Sequence, residues 1–282
     1  MIKPLCIDLF CGLGGWAEAF LVEGWDVIGF DIERHDYGTG VYPSQLVIQD
    51  VTTIHGSQFK DAGLIVASPP CQEFSYMAMP WSRGKQIRRA LLGEDEFPSG
   101  YKGSRTKAEL TALFDACFRI QREAIEAAGH FIPLVVENVR GAQKWVGRSR
   151  WNFGSFHLWG DVPALMPSIK VPGFRFDGSG KSFQTASVEG TKVASDEGRR
   201  TDIGKGARFT TRDCGDEGTK IGGDWLSDPN STCRMHGSKS TARKAASAAI
   251  AKIPLPLAQW IARVFDPQAV RKAVANGDKK AT

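Results

Sequence analysis

The chain has 282 residues, enough to bury roughly three quarters of its unfolded surface in one large domain or one and a half. Its hydrophobic content of 42% and charged content of 24% are ordinary globular values, and no apolar run is long enough to span a bilayer. The net charge of +5 and pI near 8.9 suit a polyanionic partner without demanding one. The N-terminus enters a strand with no signal-peptide pattern, and the six cysteines are scattered. A disulfide framework is therefore not expected, and a reducing cytoplasm fits.

Leu5-Cys6-Ile7-Asp8-Leu9-Phe10 reads as a buried parallel strand. A glycine-rich turn from Gly12 to Gly15 follows, and residues 16–21 have helical apolar spacing that stops at Gly24. Strand, glycine turn and helix make a nucleotide-binding start: glycines let a ligand approach the backbone, and free amides point at it from the helix N-terminus. Residues 25–31 form the second strand. It ends in Asp31, about 20 residues after the turn, where a carboxylate can accept both ribose hydroxyls. The Gly-x-Gly-Gly spacing differs from the Gly-x-Gly-x-x-Gly of nicotinamide folds, so a dehydrogenase is a weak alternative. Residues 46–51 read as a third strand carrying Asp50, which in isolation would also suit a cap before Thr52.

The fourth strand, residues 63–66, leads into Ala67-Ser68-Pro69-Pro70-Cys71-Gln72-Glu73-Phe74-Ser75. Two prolines fix the backbone there, so Cys71 is presented on a stiff turn. A cysteine held at the carboxyl end of a strand in an α/β sheet sits where such sheets bind ligands; a small buried hydrophobe is the plain alternative. Residues 76–106 read as a long polar loop in which Arg83, Lys85, Arg88, Arg89, Lys102 and Arg105 interleave with Trp81 and Tyr101. Such a loop is either functional or a solvated excursion. Residues 108–128 have the periodicity of a long helix, through Leu110, Leu113, Phe114, Cys117, Ile120 and Ile125.

Residues 131–136 form a fifth strand that delivers Glu137 and Asn138 to the same sheet edge as Cys71. A carboxylate at the end of an apolar strand is costly without a task or a partner. Trp145, Arg148 and Arg150 precede a short strand at 155–159. From 160 to about 240 glycine, serine, threonine and charges of both signs dominate, and apolar periodicity fades. Cys214, Cys233 and His236 lack a complete four-ligand spacing, so no metal is expected. Residues 241–250 and 254–262 read as helices, and the residues after Asp266 as a polar tail.

The segment Pro69-Pro70-Cys71-Gln72-Glu73-Phe74-Ser75 resembles the nucleophile motif of the DNA (cytosine-5)-methyltransferases. Two more signatures of that family stand in its order. They are Asp8-Leu9-Phe10-Cys11-Gly12-Leu13-Gly14-Gly15 and Glu137-Asn138-Val139. The resemblance implies an α/β fold, namely the Rossmann-like sheet of an S-adenosylmethionine-dependent methyltransferase with a small irregular target-recognition region. It implies a catalytic and cofactor-binding part over 1–160, target recognition over 161–240, and helices at 241–265 returning to the catalytic part before a tail at 266–282. Cys71 would be the nucleophile and Glu137 the acid at ring nitrogen 3, with Pro70, Asn138 and Arg150 completing the catalytic group.

S-adenosylmethionine would be held by Asp8, Phe10, Gly12, Gly14, Gly15, Asp31, Ile32, Asp50, Val51 and Pro69, with Asp50 at the adenine amino group and Val51 packed on the ring. The loop after the cysteine would close over DNA and the extruded base. The implied partner is duplex DNA, and the implied protein a cytoplasmic monomer of compact phage or prophage type, with or without a restriction-enzyme partner. The family's Gln-x-Arg-x-Arg motif has no clear counterpart, and Arg148-Ser149-Arg150 is the nearest substitute. Ile250-Ala251-Lys252 stands in place of a Gly-Asn pair. Two alternatives share the fold: an RNA cytosine methyltransferase, whose Cys-Phe-Thr signature is absent, and a DNA-binding protein without turnover.

Overall fold

The computed structural model describes residues 3–36, 41–71, 74, 81–96, 106–164, 248 and 251–267. The chain divides into two units, one of Met1–Arg34, Tyr42–Ser168 and Ile253–Thr282, the other of His35–Val41 and Ile169–Lys252. Nearly all of the second unit lies outside the described residues. So do the expected target-recognition region beyond residue 164, with Cys214, Cys233 and His236, all of the 241–250 helix except Ala248, and most of the tail.

The first unit is built on one seven-stranded sheet. Its strands are β1 (Leu5–Leu9), β2 (Asp26–Asp31), β3 (Gln45–Ile48), β4 (Leu64–Ala67), β5 (Leu134–Val139), β6 (Trp151–Phe153) and β7 (Phe156–Gly160). Their spatial order is β3-β2-β1-β4-β5-β7-β6. The first five pair in parallel, whereas β7 runs antiparallel to β5 and to β6. The order reverses between β1 and β4. That switch point opens a crevice at the carboxyl ends of two neighbouring strands, where open α/β sheets take their ligands.

The central strands are apolar on both faces because both are covered. Ile7, Leu9, Ile65, Leu134 and Val136 pack against α3 (Lys107–Ala128) through Phe114, Cys117 and Ile120. Thr106 and Glu109 start that helix with a reciprocal capping box, and Gly129 ends it. On the other face α1 (Gly15–Val22) buries Trp16, Ala17, Ala19 and Phe20. α5 (Leu255–Val264) packs against α1, and Glu23 takes Arg263 at 2.7 Å and Gln259 at 3.1 Å.

Three expectations need correction, and two short elements went unread. The polar stretch after Cys71 contains a helix, α2 (Trp81–Leu91). Its Gly84 and its charges read as loop, yet Lys, Arg and Gln are good helix formers. Gly84, Ile87 and Ala90 bury one face at helical spacing. β5 starts and ends three residues later than expected; pairing of Val135 to Val139 with β7 carries it past its apolar run, so Glu137 and Asn138 lie inside the strand. β3 ends at Ile48, and Asp50 caps a 3-10 turn over Val51–Thr53. Finally, α4 (Gln143–Val146) and β6 gave no readable periodicity, being four and three residues long. Among the described residues no helix is long and apolar enough to cross a membrane.

Candidate active site

The turn after β4 is held from three sides. The parallel register sets Ala67 beside Val136, so the next residues along, Ser68 and Pro69, run beside Glu137 and Asn138. Asn138, 1% exposed, donates from Nδ2 to the Pro69 carbonyl at 2.8 Å and accepts from the Val139 amide at 2.8 Å. Trp16 Nε1 donates to Ser68 Oγ at 3.0 Å. The Phe74 amide closes the turn on the Cys71 carbonyl at 2.9 Å, and its ring lies in the core, 6.2 Å from that of Trp145. Cys71 itself is half-buried, and Pro70 before it is exposed.

The Cys71 thiol feels the Glu137 carboxyl. Burial, then the Glu137 carboxylate, pushes the Cys71 thiol up to about 11. Burial pushes Glu137 up to about 8, against a hydrogen bond from Ser68 that favours the charged form. At neutral pH the resting pair is therefore a thiol beside a protonated carboxyl. Such a carboxyl can donate a hydrogen bond to a ligand, which an ionised one cannot.

The turn after β1 is made differently. Phe10 has φ 56°, a left-handed conformation that is costly for a bulky side chain, and Gly12 and Gly14 follow at 51° and 77°. Asp31 spans this turn and the one after β2, accepting from the Gly12 amide at 3.0 Å through Oδ2 and from Ile32 at 2.8 Å through Oδ1. Asp8 is fully buried. Tyr42 donates to its Oδ2 at 3.1 Å, whereas Oδ1 has no partner. Burial pushes the Asp8 carboxyl up to about 8, and the nearby Asp31 charge adds to the rise.

These residues fit a polar, part-cationic cofactor such as S-adenosylmethionine. Asp8 leaves a buried oxygen orphaned, and the space over Gly12 is open. Gly14 is filled from within, since a Cβ there would sit 2.5 Å from Pro43 Cδ. Its smallness admits Tyr42 and Pro43 of this chain. Asp50 realises the capping alternative, its Oδ1 accepting from the amide and hydroxyl of Thr52, each at 2.8 Å. Val51 is 2% exposed in the core, while Ile32 is the exposed apolar side chain at 69%. Ring packing by Val51 would therefore need it to leave the core.

The fold brings Cys71, Ser68, Pro69, Glu137 and Asn138 together and sets the residues of the glycine turn across the switch point from them. Arg150 is not among this group. It is exposed and precedes β6, which β7 separates from β5. Among the described residues no cluster of His, Cys, Asp and Glu could hold a metal ion.

The profile of the C-5 cytosine-specific DNA methylase family matches residues 5–90. Over that stretch the chain is similar to the C-5 cytosine-specific DNA methylases. The match runs from β1 through the proline turn into α2, so it takes in the turns after β1 and β4 but not Glu137 and Asn138. No curated protein matches the chain.

Among solved structures, a candidate DNA modification methyltransferase encoded within a prophage in E. coli is 21% identical with a TM-score of 0.31, over 51% of this chain and 35% of that one. A mutant of DNMT2 from Spodoptera frugiperda is 17% identical with a TM-score of 0.29, over 51% and 38%. The methyltransferase EhMeth of Entamoeba histolytica is 16% identical with a TM-score of 0.32, over 52% and 41%. The chain thus spans well under half the length of these three structures.

The methylase motifs pointed to Cys71, Glu137 and Asn138 but not to Trp16, Ser68 or Tyr42. A large aromatic directly after Gly15 and a hydroxyl directly before the prolines were visible in the sequence. Their meaning depends on a strand register that was not.

Proposed function

We propose that the protein methylates carbon 5 of cytosine in DNA, with Cys71 as covalent nucleophile and Glu137 as the acid at the ring. The observation that carries this reading is the Cys71 thiol, on the turn after β4, set close enough to the buried Glu137 carboxyl of the neighbouring strand β5 to feel its charge. Cytosine is a poor nucleophile at carbon 5. Addition of the Cys71 sulfur to carbon 6 makes the ring an enamine and raises electron density at carbon 5. Glu137, protonated at neutral pH, bonds ring nitrogen 3 and neutralises the charge that develops there.

S-adenosylmethionine, when bound, supplies the methyl group. Asp8, Phe10, Gly12, Gly14, Gly15, Asp31, Ile32 and Pro69 would hold it, with Asp50 and Val51 at the adenine end. Loss of the carbon 5 proton then breaks the carbon–sulfur bond and frees Cys71. Asn138 fixes the Pro69 carbonyl and so the height of the cysteine turn. A stacked base cannot reach this crevice, so the target nucleotide must be flipped out, at a cost of a few kcal/mol. Phosphate contacts from basic side chains, Arg150 among them, would offset that cost.

The decisive experiment is tritium transfer from labelled S-adenosylmethionine to duplex DNA, wild type beside Cys71→Ser, followed by base analysis. Label in 5-methylcytosine that vanishes in the variant is the expected result. Binding of DNA and cofactor with no transfer to any duplex would sink the reading. Label in RNA alone would replace it with the RNA enzyme.

A further inference from the structure

Ser68 is the last residue before the two prolines, and its hydroxyl lies between partners of opposite character. On one side Trp16, 1% exposed, donates its indole N–H to Oγ at 3.0 Å. On the other, the parallel register that pairs Ala67 with Val136 sets Ser68 next to Glu137, whose charged form the hydroxyl favours as a donor. An indole can only donate, and a serine hydroxyl owns a single proton. With a lone pair engaged by Trp16, Ser68 directs that proton to Glu137, and a freely rotating group becomes a fixed one.

We infer that Ser68, held by Trp16, is a positioning residue for Glu137: it sets which carboxyl oxygen accepts from the protein and which is left to carry the acid proton. The inference rests on Glu137 being the acid at the ring. Trp16 directly follows Gly15, so the same bond ties the helix that begins at the glycine turn to the acid across the switch point. An apolar residue at either position would leave the carboxyl free to rotate in a desolvated site.

Among the described residues, the titratable group that feels the Glu137 charge is the Cys71 thiol of the turn after β4. β7 sets Leu158 opposite it, and α1 reaches it through Trp16 and Ser68. A donor to a carboxylate favours the ionised form, so Ser68 opposes the effect of burial, and its loss raises the affinity of Glu137 for its proton.

The test has two readouts. One is the pH profile of single-turnover methyl transfer to duplex DNA. The other, independent of turnover, is an infrared titration of the Glu137 carboxyl, its band assigned by disappearance in Glu137→Gln. In Ser68→Ala the midpoint should rise by about one pH unit, and the alkaline limb of the profile should follow it. Transfer at neutral pH should slow about tenfold, since the acid is both weaker and unfixed. Trp16→Phe keeps the ring, loses the N–H and should move the midpoint less, in the same direction. Ser68→Thr should restore it.

An unchanged midpoint in folded Ser68→Ala overturns the inference, as does a raised midpoint with wild-type rate and profile. A wild type that transfers nothing sinks the methyltransferase reading instead, and the infrared midpoint still decides the Ser68 link.

Discussion

After β1 the backbone passes through three left-handed residues, Phe10, Gly12 and Gly14; after β4 it passes through two prolines. The first turn gets its shape from conformational freedom and is fastened by carboxylates, with Asp31 gripping the Gly12 amide and Asp8 buried beneath. The second gets its shape from restriction and is fastened by neutral donors, from Asn138 to the Pro69 carbonyl and from Trp16 to Ser68. The contrast suits the proposed tasks. A cofactor with a positive centre calls for fixed acceptors, whereas a nucleophile that must approach a ring atom calls for a rigid support.

The largest effect should come from breaking the cysteine side at its acid. Glu137→Gln keeps the shape and removes the proton donor and its charge, and methyl transfer should fall by about a hundredfold or more. The same variant carries a second, opposite signature. Because the Glu137 carboxylate is one cause of the raised Cys71 thiol, its loss should lower the pH midpoint for alkylation of Cys71 from its value of about 11. A thiol whose midpoint does not fall would mean that the two groups are not coupled.

Next comes the glycine side. Gly14→Ala adds a Cβ at φ 77°, 2.5 Å from Pro43 Cδ and 3.1 Å from the Tyr42 ring. Strain and overlap together should cost about 2 kcal/mol, which calorimetry would show as a melting point several degrees lower. The KM for the cofactor should rise as the turn shifts. Unchanged melting would mean that Tyr42 and Pro43 do not close on this glycine. On the proline side, Asn138→Ala strips the Pro69 carbonyl of its donor and should cost about 1–3 kcal/mol. The loss should appear in melting, and cofactor binding should weaken with it, since Asn138 fixes Pro69, one of the residues proposed to hold the cofactor.

The two turns also differ in how legible they were. Glycine spacing and a double proline are local signals, and they placed both walls of the crevice at strand ends where the structure has them. What joins the walls is not local. Trp16 and Ser68 are 52 residues apart, and the register that pairs the end of β4 with β5 follows from sheet packing. The same dependence explains the misplaced strand. Leu134–Val139 extends past its apolar run only because β7 returns beside it. α2 was missed for the opposite reason, since Gly84, Ile87 and Ala90 make a small buried face beside exposed Ser82, Lys85, Arg88 and Arg89.

The smallest effect distinguishes the walls by pH. Asp8 binds its proton up to about pH 8 in the folded chain, against 3.8 for an ordinary aspartate. Between those values the unfolded state is ionised and the folded state is not. Burial of Asp8 therefore lowers stability progressively as pH rises from about 4 to about 8, with no further loss above that. Glu137 contributes a fall of the same sign, between its ordinary 4.5 and about 8. Asp8→Asn should thus flatten the decline of the melting point over this range by a few degrees, and adding Glu137→Gln should flatten it further. The slope is the test, not the absolute stability. An asparagine amide beside Tyr42 would carry its own buried donors, a penalty that does not change with pH. If Asp8→Asn keeps the full slope, Asp8 is ionised in the folded protein, and the acceptor that the glycine side offers a cofactor already bears its charge.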